Sequence, residues 1–191
     1  MQDFWIYFQL GWQHILDLNG YDHILFVLVL CCSYALKDWK RILWLVTAFT
    51  VGHSLTLALA VFSIVKVNVG WIEFLIPVTI LFTALTNLFR SNKGRNPVFL
   101  YTMTLIFGLI HGLGFSNYLR SLLGKEANIV WPLLSFNIGL EFGQLIIVFL
   151  VILLSAVVVS LFKVKKRDWS FFLSSAVVGI SFMMALDRFP L

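Results

Sequence analysis

Apolar residues fill this chain in long blocks broken by short basic turns, and the blocks exceed the eighteen or so residues that mark a membrane-crossing helix. The pattern predicts helices from about Tyr21 to Leu36, Ile42 to Val65, Val69 to Phe89, Val98 to Leu119, Ile129 to Phe162 and Trp169 to Leu186. Ahead of them, residues 1–18 carry Trp5, Phe8, Trp12, Ile15 and Leu16 at three- and four-residue spacing among Gln2, Asp3, Gln9, Gln13, His14 and Asp17. That is the stripe of an amphipathic helix, lying at the interface or tucked against the bundle. The expectation is an all-α polytopic bundle of about six transmembrane helices plus the N-terminal amphipathic helix. It forms one integral membrane domain over residues 1–191, with the transmembrane bundle at 20–187.

Composition agrees with the pattern: of 191 residues 60% are hydrophobic and 12% charged, with a mean hydropathy of +0.93, far from a soluble domain. Charge adds orientation. Lys37, Lys40, Arg41, Arg90, Lys93, Arg95, Lys163, Lys165, Lys166 and Arg167 fall in the first, third and fifth connections, against Lys66, Arg120, Lys125 and Arg188 on the other side. The positive-inside rule then predicts cytoplasmic odd-numbered connections and both termini outside. The formal charge of +5 reflects that topology and needs no nucleic-acid partner. The first basic residue is Lys37, so residues 1–18 lack the basic start of a cleaved signal. Cys31 and Cys32 are adjacent in an apolar run, without paired or metal-ligand spacing, and read as packing.

Polar residues interrupt the apolar blocks at a few places. Asp22 and His23 open the first predicted span, His53 lies in the second, His111 in the fourth and Glu141 in the fifth, where Asn137, Glu141 and Gln144 form one stripe at i, i+4 and i+7. At 1.5 Å per residue, His53 lies roughly 16 Å into its helix and His111 roughly 20 Å into its own, so every histidine falls between the midplane and the outer face. An ionisable residue inside a span costs about 2.5 to 3.5 kcal/mol on insertion scales and normally faces the bundle interior. Imidazole and carboxylate together suit a divalent transition metal such as Ni, Co or Zn. The candidate metal ligands are Asp22, His23, His53, His111 and Glu141, with His14, Asn137 and Gln144 as further candidates.

The stretches GYDHILFVL, FTVGHSLTL, FGLIHGLGF and FNIGLEFGQL, in this order from about residue 11 to residue 150, resemble the HupE/UreJ-like membrane proteins, most closely the second branch of that family. In the permease signature five residues separate a His from Asp-His, whereas His14 and Asp22 are separated by seven. The resemblance implies a multi-pass protein of the bacterial inner membrane and a nickel or cobalt permease. A second class stays open, a membrane-embedded hydrolase acting on a lipid or membrane peptide. In that class the metal would activate a water, and Glu141 or Asp22 would act as general base.

Overall fold

The computed structural model describes residues 2–65, 67–89, 97–123 and 129–190. Seven α-helices account for most of them: α1 (Gln2–Leu16), α2 (Asp22–Cys31), α3 (Trp39–Val61), α4 (Val69–Phe89), α5 (Pro97–Leu123), α6 (Val130–Leu161) and α7 (Lys166–Asp187). A single 3-10 turn, Leu36–Asp38, leads into α3. Five of the helices, α3 to α7, are long and apolar enough to cross a membrane. The chain is an all-α membrane helix bundle.

The first predicted span takes the form of α2, which has ten residues and so measures about 15 Å, half a hydrocarbon core. Its end has a local cause. Beyond Cys31 the Asp38 carboxylate accepts from the Ala35 amide at 2.9 Å, and Ser33 Oγ meets Ser170 Oγ of α7 at 2.9 Å. These bonds hold the chain in a turn where a helix would otherwise continue.

Two helix pairs form the frame, and in both the partners run parallel. Along α3 and α5, Phe49 faces Gly108 and His53 faces Gly112; a Cβ at Gly52 would collide with the Leu105 carbonyl oxygen. Along α1 and α6, the Ser135 hydroxyl donates to the Phe4 carbonyl, Phe8 lies on Gly139 and Trp12 on Gly143. Because the contacts advance together along both chains, α1 stands beside the first half of α6, tucked against the bundle. In lipid no hydrophobic drive separates packed from unpacked helices, so such close backbone approach is what holds them. The glycines thus fix the height and rotation of His14 and His53.

A third pair, α4 and α7, packs antiparallel: Phe189, just beyond the end of α7, packs on Phe74 near the start of α4 with ring centroids 5.3 Å apart. Phe26, Phe49 and Phe136 are fully buried at the centre. The four histidines lie against them.

Candidate metal centre

Each histidine comes from a different helix. His14 belongs to the last turn of α1, His23 to the first turn of α2, His53 to α3 and His111 to α5. Their ring centroids lie 4.7 Å apart for His14 and His23, 6.0 Å for His23 and His53, 6.1 Å for His14 and His53, and 5.2 Å for His23 and His111. One ring nitrogen from each of His14, His23 and His53 lies within 4.8 Å of the others. His53 and His111 are 0% and 1% exposed.

The surroundings make these nitrogens costly. Phe115 lies on His14 at 3.8 Å between centroids, and Phe49 stands 5.1 Å from His111, so the walls are largely aromatic carbon. Among the described residues His14 Nε2, His23 Nε2, both ring nitrogens of His53 and His111 Nδ1 are buried without a hydrogen-bond partner. A buried polar atom left unpaired costs about 1–3 kcal/mol. Three imidazoles whose nitrogens meet from three helices, with a fourth ring beside them, are the kind of donor set a divalent transition metal takes, and the residues present fit such an ion. Two nitrogens at about 2.1 Å from one ion in tetrahedral geometry would lie about 3.4 Å apart. The trio is therefore up to about 1.4 Å wider than a closed site, and a bound ion would draw the rings together.

Above the cluster opens a cavity of about 750 Å³, lined by His14, His23 and His111 at one end and by Asp17, Glu73 and Tyr118 elsewhere. Asp22 and Arg188 also line it, and they pair at 2.9 Å, Arg188 Nη1 donating to Asp22 Oδ2. The other oxygen, Asp22 Oδ1, is buried and unpartnered among the described residues. Three carboxylates against one guanidinium give the wall a net negative charge, which raises the local concentration of cations.

Not every predicted residue joins the cluster. Glu141 Oε1 accepts from Thr47 Oγ1 at 2.7 Å, and Gln144 Oε1 accepts from Thr50 Oγ1 at 2.8 Å. Thr47 and Thr50 precede His53 by six and three residues on α3, so the two rungs lie roughly 9 and 4.5 Å below it along the helix axis. Asn137 Nδ2 donates to the Leu133 carbonyl of its own helix at 2.8 Å. The α6 stripe thus braces α3. His14, which the sequence ranks among the further candidates, stands in the trio itself.

Sequence reasoning missed two contributors. Arg188 stands in the sequence only as one of the four basic residues on the outer side, whereas in the structure it closes on Asp22. Thr79 of α4 meets His111 Nε2 at 3.2 Å, and its one sequence signal is the spacing Thr79, Thr83, Thr86 along one face of an apolar helix.

Fold and site together define a polytopic helical membrane protein built around a buried cluster of histidines. The family model for HupE / UreJ protein matches residues 1–187. The chain belongs to that family. No curated protein and no solved structure matches it.

Proposed function

We propose that this protein is a divalent-metal permease of the nickel/cobalt type, whose cargo enters from the outer face and is held by His14, His23, His53 and His111. The observation that carries the reading is the meeting of buried imidazoles from four helices: ring nitrogens of His14, His23 and His53 lie within 4.8 Å of one another, the His111 ring is 5.2 Å from that of His23, and each ring has a nitrogen without a partner among the described residues. By the positive-inside rule the cavity opens away from the cytoplasm, and the protein resides in a bacterial inner membrane with both termini outside. Asp17, Asp22 and Glu73 attract the hydrated cation, and the imidazoles then replace its water. Below the trio Phe26 and Phe49, 4.9 Å apart, close the way inward. Passage requires that layer to part, with the Thr50–Gln144 and Thr47–Glu141 rungs as the next polar positions. Reconstituted vesicles exposed to radioactive Ni²⁺ or Co²⁺ test this: the native chain should accumulate the ion and a His53→Ala chain should not. Absence of uptake by a native chain that binds the ion would rule out the permease.

One observation favours a second reading. A cavity of about 750 Å³ far exceeds one ion and lies in the range of about 300–1,000 Å³ that organic ligands occupy. In a membrane hydrolase a resident metal would supply Lewis acidity. His14, His23 and His53 would hold it, and Asp22, with one oxygen unpartnered, would take the proton from the attacking water. Cleavage of a lipid or membrane peptide, abolished by Asp22→Asn with metal retained, would establish this class.

A further inference from the structure

Thr79 and His111 settle a question that distances between rings leave open, namely which nitrogen of His111 carries the hydrogen. Thr79 Oγ1 lies 2.7 Å from the Ile76 carbonyl oxygen and 3.2 Å from His111 Nε2. A threonine hydroxyl has one hydrogen and a carbonyl has none. The hydrogen therefore goes to Ile76, and toward His111 the hydroxyl oxygen can only accept. Nε2 must then be the donor, and Nδ1 is left as a bare electron pair. Both side chains are buried, Thr79 at 4% and His111 at 1% exposure, so bulk water does not compete for either atom. His111 Nδ1 is itself buried with no partner among the described residues.

We infer that Thr79 is a positioning residue that holds His111 in the Nε2–H tautomer and so presents Nδ1 to a divalent cation. For the cation the inference rests on the metal reading above; for the tautomer it rests on the hydrogen bonds alone. Metal-ligating histidines donate their other ring N–H to an oxygen, which fixes the ring and raises its basicity, and loss of that partner typically weakens the metal 10- to 100-fold. The arrangement sets His111 apart from His53, whose two nitrogens both lack a partner among the described residues. His53 is free to take either tautomer, whereas His111 is preset. The hydroxyl's own anchor is firm, because Thr83 Oγ1 in turn donates to the Thr79 carbonyl at 2.9 Å and ties the next turn of α4 to the same point.

The test is nitrogen NMR of the full chain in micelles with ¹⁵N-labelled histidine, first stripped of metal and then titrated with Zn²⁺, His111 being assigned by loss of its signals in His111→Gln. The native chain should show His111 protonated at Nε2 and bare at Nδ1, with Zn²⁺ shifting Nδ1. Thr79→Val should mix the tautomers and weaken Zn²⁺ about 10- to 100-fold, and Thr79→Ser should restore both. A proton on Nδ1 in the native chain overturns the tautomer. Native Zn²⁺ affinity in a folded Thr79→Val chain, or failure of Thr79→Ser to rescue, overturns the positioning role. A native chain with the Nε2–H tautomer that takes up no Zn²⁺ overturns the metal reading, and with it the purpose assigned to Thr79.

Discussion

Thr47 of α3 donates a 2.7 Å hydrogen bond to Glu141 of α6, which holds the carboxylate against α3 roughly two helical turns from His53. If the ion is held as proposed, Glu141 stands apart from its capture. Glu141→Gln keeps an oxygen able to accept from Thr47, so metal affinity should change less than about 3-fold, well under one lost hydrogen bond to a charge. If ions pass that rung, uptake should fall while binding persists. Titration and vesicle uptake on one preparation check this, and a loss of binding as large as that caused by His53→Ala would return Glu141 to the binding site.

Arg188 gives the opposite sign. Paired with Asp22 at 2.9 Å, it places a positive charge on the wall of the cavity that receives the cation. Arg188→Gln should tighten Zn²⁺ or Ni²⁺ binding several-fold, since a partly exposed ion pair is worth about 0–1 kcal/mol and its removal leaves Asp22 available. The metal-free chain should lose some thermal stability, because a part-buried carboxylate loses its partner, and added metal should recover it. Weaker binding in Arg188→Gln would mean that the guanidinium orders Asp22 for the ion instead of competing with it.

Gly112 and Gly179 form a matched pair for packing. A Cβ at Gly112 would strike the His53 carbonyl oxygen and the Thr56 hydroxyl, while one at Gly179 meets nothing within 4 Å. Gly112→Ala should therefore destabilise by about 1–3 kcal/mol through overpacking and should weaken metal binding by moving His53. Gly179→Ala should be neutral or stabilising by up to about 1 kcal/mol, because alanine is the better helix former. Thermal unfolding in detergent separates them, and equal melting temperatures would show that α3 and α5 do not pack as described.

Acidification should oppose the metal. A ligating imidazole must be unprotonated, so protons compete with the ion for every histidine in the site. Affinity should fall as pH falls, and the slope of log Kd against pH reports how many imidazoles are engaged. Replacing His14 should reduce that slope by about one proton if it ligates. An unchanged slope would remove α1 from the site.

The bundle was legible because hydropathy and charge act over whole helices: block lengths gave α3 to α7 within a few residues, and the polar interruptions pointed to His23, His53 and His111. The length of α2 was not legible, since its end depends on Ser33 and Asp38 finding partners at Ser170 and Ala35. Nor was the place of His14. Composition left its helix either at the interface or tucked against the bundle, and Gly11, Gly139 and Gly143, which let α1 approach α6 backbone to backbone, bring it to the trio. The α6 stripe was correctly one-sided, but a stripe does not name its partner, and Glu141 and Gln144 meet threonines of α3.

The central proposal is that His14, His23, His53 and His111 together hold a divalent ion. Elemental analysis of the protein, purified without chelator and loaded with one equivalent of Zn²⁺ or Ni²⁺ before desalting, tests it most directly. The native chain should retain about one ion, and His53→Ala, which removes a fully buried imidazole of the trio, should retain almost none, since losing one ligand from so small a set leaves too little affinity. Stoichiometric metal in His53→Ala, or none in a folded native chain, would contradict it.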